Sequence, residues 1–192
     1  THWAGINCQW HDYTRPKEYD ISAMFQYPSL DPSYEHGQVQ SDYYDRFRKP
    51  SIDIINKLNC NIAKLDQGKR VSQQEYYSRL FNSKIIFAPY GYGEMAPRDL
   101  EAAMFGAILI KPDMSYIDTY PDPFIDGETY IACKHDFSDL EQIVEKILGN
   151  YNNYLYIIDN ARKKFSELYR PENIALRVYE IFKNLKEVTY ES

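Results

Sequence analysis

The chain has 192 residues, 44% of them hydrophobic, and a formal net charge of −6. That length and apolar content support one sizeable core and exclude a disordered polar segment. The acidic balance excludes a generic polyanion-binding surface, and no apolar run approaches the roughly 20 residues of a membrane-spanning helix, so neither nucleic acid nor a membrane span is expected.

The N-terminal THWAGINCQWHDY lacks the character of a secretory leader, and its start at Thr1 reads as a piece of a longer protein. Cys8, Cys60 and Cys133 are odd in number and show no CxxC spacing, which fits unpaired thiols in a reducing compartment, so a cytoplasmic location is expected. The 19 tyrosines read mainly as half-buried fillers with a hydrogen-bonding tip. A few in the central loop are placed to touch a sugar.

Residues 1–18 are polar, aromatic and aperiodic, and read as a lead-in or the remnant of a preceding domain. Residues 19–192 read as one domain. Its first strand is expected at 19–25 (YDISAMF). A long loop follows over 26–41, marked by Pro28, Pro32 and Gly37. Residues 43–58 are partly helical, with Pro50 breaking the helix or starting a second one. A short strand is expected at 61–65. Ser72-Gln-Gln-Glu75 is a capping box that opens a helix to about residue 82. Strands follow at 84–88, 107–111 and 129–133, with a helix at 97–105 that starts on Pro97 and stops at Gly106. Ser138-Asp-Leu-Glu141 is a second capping box. Three apolar helical stripes close the chain: Leu140, Ile143, Val144 and Ile147; then Tyr154, Ile158, Ala161, Phe165 and Leu168; then Ile174, Val178, Ile181, Phe182 and Leu185. Strands alternating with helices predict a mostly parallel sheet covered on both faces, with ligands beyond the C-terminal strand ends.

The residues 83–111 carry most of the chemistry. A strand, a glycine loop and a helix in that order make an anion site, because first-turn N–H groups point at whatever binds there. Gly91 and Gly93 let the backbone approach a ligand closely, or serve an ordinary turn. Arg98 and Glu101 lie one turn apart near the positive end of the helix. Arg98 offers a bidentate fork for a diphosphate, or else a surface ion pair with Glu101 or Glu94. Glu101 suits two adjacent ribose hydroxyls, or stands as a solvated carboxylate. Glu94, beside the helix start, is also placed as a capping acid. Asp113, Asp118, Asp122 and Asp126 read as a solvated loop in preference to a glycosidase pair. Lys69-Arg70 and Arg46-Phe-Arg48-Lys49 are small basic clusters, either phosphate contacts or solvated faces. His2, His11, His36 and His135 read as ordinary surface or turn histidines. No HExxH, GxxxxGK[ST] or Cys/His metal spacing occurs.

The segment SKIIFAPYGYGEMAPRDLEAAMFGAILIKPD resembles the donor-binding region of GT-B glycosyltransferases, in particular the group-1 and exostosin-like families. The exostosin-like pattern is matched by Ser83, Pro89, Gly91, Arg98, Glu101, Ala102 and Gly106. Group-1 enzymes carry two spaced glutamates here; Glu101 matches the second, while the first falls on Gly93, with Glu94 one place later. The resemblance implies a Rossmann-like three-layer α/β domain, the C-terminal half of a GT-B architecture. It implies that Arg98 binds the nucleotide diphosphate and Glu101 the ribose. Tyr90, Gly91, Tyr92, Gly93, Glu94, Met95 and Ala96 would line the donor site, with Arg98 and Glu94 as catalytic candidates. The implied activity is sugar transfer from a nucleotide-sugar donor to a glycan or other hydroxyl acceptor. No DxD sequence is present, and the helix dipole with Arg98 would balance the leaving diphosphate, so neither metal nor cofactor is expected. A second Rossmann-like domain, expected in the parent protein, would supply the general base of an inverting enzyme. The alternatives are a non-catalytic nucleotide-sugar-binding or interaction module, and another α/β enzyme of nucleotide sugars such as an epimerase.

Overall fold

A computed structural model describes residues 10–25, 48–65, 71–91, 93–119 and 122–188, with side chains to 183. The expected 26–41 loop, the first part of the 43–58 stretch, and His2, Cys8, His36, Arg46, Lys69, Arg70 and Tyr92 lie outside the described residues.

Within them, β1 (Tyr19–Ala23), β2 (Ile62–Lys64), β3 (Ser83–Phe87), β4 (Ile108–Pro112) and β5 (Ile131–Cys133) form one sheet in the order β2-β1-β3-β4-β5. Every pairing is parallel. The helices are α1 (Lys49–Ile55), α2 (Gln73–Phe81), α3 (Pro97–Phe105), α4 (Leu140–Gly149), α5 (Leu155–Leu168) and α6 (Pro171–Val188). The expected three-layer α/β domain is therefore present.

Both faces of the sheet are covered, which is why the central strands read as unbroken apolar runs. Ile85, Phe87, Ile108 and Ile110 pack with Ile55 of α1 and with Leu140, Val144 and Ile147 of α4. Ile86, Ala88 and Leu109 face the other way, against Leu80 of α2 and Ala102 and Phe105 of α3. Leu100 and Ala103 of α3 then meet Ala161 and Phe165 of α5.

Local signals explain most element ends. The Ser72 hydroxyl accepts the Glu75 N–H at 3.1 Å and opens α2, as the capping box predicts. The second capping box does not form. Helix α4 begins at Leu140 with no side-chain cap, because the Asp139 carboxylate turns back to accept the Lys134 N–H at 2.9 Å and ties down the exit of β5. The first two apolar stripes turn inward, buried except for Ile143 and Tyr154, which are half-buried. In the third, Ile174, Val178, Ile181 and Phe182 are exposed. Their helix α6 is held to α5 through Asn173 on the Glu167 carbonyl and Arg177 on the Leu168 carbonyl. Periodicity shaped the helix, but no described element covers that face. No helix among the described residues is long and apolar enough to cross a membrane.

Residues 10–18 of the expected lead-in dock at the sheet edge away from the strand exits. Lys17 Nζ donates to the carbonyls of Phe81 at 2.7 Å and Phe105 at 2.9 Å, the last residues of α2 and α3. Arg15 adds bonds to the Phe81 carbonyl and to Asn82. Cations at helix C-termini satisfy orphan carbonyls and oppose the negative dipole end. Burial, with Arg15 and Arg162 nearby, lowers the Lys17 pKa to about 8. His11 stacks on Phe105 at this same edge, remote from the strand exits.

Helix α3 stops at Gly106 in the left-handed region, φ +66°. A Cβ there would overlap Cβ of Tyr13 and lie 2.9 Å from Nη2 of Arg162. Gly106→Ala should therefore lower stability by roughly 2 kcal/mol or more, from backbone strain together with that overlap. Urea unfolding of the variant beside the wild type measures this.

Candidate functional site

The chain leaves β1 for β2 on one side, and runs β3, β4, β5 on the other. The order reverses between β1 and β3, and the crevice beyond their C-terminal ends is where ligands of open parallel sheets sit. Two segments line it: Met24 and Phe25 after β1, and Ala88 to Gly91 after β3.

Arg98 reaches this crevice from α3. Its Nη2 donates to the Met24 carbonyl at 3.0 Å and its Nε to the Tyr76 hydroxyl at 3.3 Å. That same hydroxyl donates to Oε2 of Glu101 at 2.8 Å. The alternative reading of Arg98, a direct ion pair with Glu101 or Glu94, is not formed; a bridge through Tyr76, a residue of α2, links Arg98 to Glu101 instead. All three side chains are half-buried. Burial pushes the Tyr76 hydroxyl up to about 12, so it stays a donor. Burial also raises the Glu101 pKa, against the lowering pull of Tyr76 and Arg98. Nη1 of Arg98 and Oε1 of Glu101 bond to no described residue.

A second arginine arrives from the other side. Arg48, the residue that precedes α1, donates Nε to the Tyr90 carbonyl at 3.0 Å. Its own carbonyl accepts from the fully buried Ser51 hydroxyl at 2.7 Å, which anchors it to the helix start. The guanidinium carbons of Arg48 and Arg98 lie 5.8 and 6.0 Å from the Phe25 ring centroid. Gly91 gives Arg48 its room, since a Cβ there would sit 3.2 Å from Nη2 of Arg48. In the sequence Arg48 belongs to a small basic cluster open to either a phosphate contact or a solvated face, and the fold brings it to the glycine loop.

The loop itself is built differently from the expectation. Tyr90 is 5% exposed, and its hydroxyl donates to the Asp113 carbonyl at 2.7 Å. It pins the loop to the exit of β4, so only its backbone faces Arg48. Gly91 N–H donates to the Gly93 carbonyl at 3.1 Å and closes the turn, while a Cβ on Gly93 would meet nothing within 4 Å. Met95 is exposed. Glu94 accepts from the Tyr116 hydroxyl at 3.5 Å and caps nothing. Asp99 is the capping acid instead: Oδ2 accepts the Ala96 N–H at 2.8 Å, and the Asp99 N–H returns to the Ala96 carbonyl at 3.0 Å. With Pro97 lacking an N–H, the start of α3 offers fewer free amides than the strand–glycine–helix pattern implies.

Asp99 also meets a lysine that sequence reasoning passed over. Lys111 ends the apolar run of β4 and reads as a strand boundary, yet it is fully buried. Its Nζ lies 3.1 Å from Oδ1 of Asp99, and 5.3 and 5.6 Å from the ring centroids of Tyr90 and Phe124. Burial raises the Asp99 pKa and lowers that of Lys111, and each partner opposes the other's shift. The only signal in the sequence was parity, since Lys111 shares the α3-facing side of β4 with Leu109.

The remaining acids behave as the loop reading expects. Asp113 binds Ser115, Asp122 binds Thr119 and the Phe124 N–H, and Asp126 binds the Ala132 N–H. Asp113 and Asp126 help line an open groove of about 720 Å³ at the β4–β5 exits, with His135 on its wall between Tyr90 and Tyr116. A smaller cavity of about 260 Å³ lies between Met95, Pro97, Asp99, Phe124, Phe165 and Tyr169. Neither is lined by Arg98 or Glu101. Cys60 and Cys133 are free thiols, and burial raises the pKa of each.

No protein-family model matches the chain, and no curated protein sequence matches it. Among solved structures it is similar to the C-terminal domain of a glycosyl transferase group 1 family protein (LpcC) from Francisella tularensis. The identity is 12% and the TM-score 0.46, over 85% of this chain and 92% of that one.

Removing one partner of a buried ion pair leaves an uncompensated charge. Lys111→Met should cost about 3–5 kcal/mol, and adding Asp99→Asn should recover much of the loss. Urea unfolding of the single and double variants checks both outcomes.

Proposed function

We propose that this chain is the nucleotide-sugar-binding domain of a glycosyltransferase that moves a sugar to a hydroxyl acceptor without a metal ion. One observation carries the reading: Arg48 and Arg98, from separate elements, each bring a guanidinium to within 6.0 Å of the Phe25 ring centroid, where the strand order reverses. The net charge is −6, so an anion reaching this protein needs a few placed cations, and these are two. The choice of a nucleotide sugar over other anions rests on the resemblance carried by residues 83–113.

In this reading the two guanidinium groups take the diphosphate, and Glu101 offers Oε1 to a ribose hydroxyl. The loop 90–95, with Glu94 and Met95, approaches the sugar. Transfer breaks the bond between the anomeric carbon and the diphosphate oxygen and joins that carbon to the acceptor oxygen. In an inverting enzyme the acceptor proton passes to a base, which the resemblance expects on a second domain. Two fixed cations beside the departing diphosphate supply the charge that a metal would otherwise provide. A non-catalytic module is the second reading. Nη2 of Arg98 already engages the Met24 carbonyl, which suits binding without turnover.

Calorimetry with UDP and with GDP tests the site. Arg98→Ala should weaken whichever nucleotide binds by about tenfold or more, and Arg48→Ala should act in the same direction. Melting temperatures of the free variants should stay near that of the wild type. Unchanged affinity in Arg98→Ala would overturn the assignment, as would the absence of any thermal shift with UDP, GDP, ADP or dTDP. Nucleotide binding with no sugar transfer by the longer parent protein would select the module.

A further inference from the structure

We infer that Tyr76 is a specificity-determining positioning residue, setting how Glu101 is presented to the sugar of the bound nucleotide. The inference rests on the proposed nucleotide site and goes beyond it, since neither the motif nor the resemblance includes any residue of α2.

A phenol that accepts from Arg98 and donates to Glu101 has its one proton committed to the carboxylate. Oε2 of Glu101 is occupied, and Oε1 bonds to no described residue. The carboxylate is thus held in one orientation with one oxygen to offer. Without the bridge, a half-buried guanidinium and a half-buried carboxylate one helical turn apart would close into a direct pair. Glu101 would then turn both oxygens toward Arg98 and away from a ligand. Tyr76 is itself well fixed, its ring packing against Tyr77 at 5.6 Å between centroids. A site that hydrogen-bonds a hydroxyl rejects the analogue lacking it, because its polar group is left unpaired. Tyr76 therefore governs discrimination between ribose and deoxyribose nucleotides more than overall affinity.

The experiment compares UDP with 2′-deoxy-UDP, and GDP with 2′-deoxy-GDP, by calorimetry on the full chain. The variants are wild type, Tyr76→Phe and Glu101→Gln, each checked for an unchanged melting transition. The wild type should prefer the ribonucleotide by about tenfold, and Glu101→Gln should lose most of that preference. Tyr76→Phe should bring the two nucleotides to within about threefold of each other. A purely structural role for Tyr76 would lower both affinities together and leave their ratio alone. A wild-type ratio retained by Tyr76→Phe, with Glu101→Gln still losing it, overturns this inference and spares the nucleotide site. A wild type that binds the nucleotides but does not distinguish the pairs overturns this inference alone, and one that binds none of them overturns the nucleotide site as well.

Discussion

A parallel sheet sends every strand exit to the same edge, and the candidate site depends on that constraint. Parallel neighbours need crossovers, and crossovers in this chain lay helices over both faces. Once the faces are sealed, only the edges remain for chemistry. The reversal of strand order between β1 and β3 then opens a crevice, because successive loops diverge there. Met24, Tyr90, Arg48 and Arg98 become neighbours through this topology, although they lie far apart along the chain.

The two edges divide the charged residues by purpose. At the lower edge Arg15, Lys17 and Arg162 spend their donors on helix-terminal and loop carbonyls, and so hold the layers together. At the upper edge Asp99 and Lys111 neutralise each other inside the protein. That pair contributes little field to the crevice, and its value lies in fixing the start of α3 to the end of β4. Arg48 and Arg98 bring two guanidinium groups to the crevice, one on either side of the strand-order reversal's loops. Two guanidinium groups brought to one crevice of an acidic protein favour a compact anion over an extended one.

Much of the scaffold was legible along the chain. Ser72 and Glu75, Pro97 and Gly106, and the stripes from Leu140 to Leu168 each act through neighbours within a few residues, so spacing alone located them. Spacing misled where a side chain had a competing partner outside its own element. Asp139 left its helix for the Lys134 N–H, and Tyr90 turned inward to the Asp113 carbonyl. Lys111 looked like a boundary because charge in a sequence suggests solvent, and its buried partner lies across a helix–strand interface.

The order of strands and helices, the strand–glycine–helix segment and the shared face of Arg98 and Glu101 are all written along the chain, because they follow from short-range backbone geometry. Tertiary structure alone decided which side chains those residues meet. It put the Tyr76 hydroxyl between guanidinium and carboxylate, brought Arg48 to the space left by Gly91, and chose Asp99 in place of Glu94 to close the helix start. Hydrogen bonds and ion pairs act over a few ångströms of space, and distance along the chain says little about that separation until the sheet has formed.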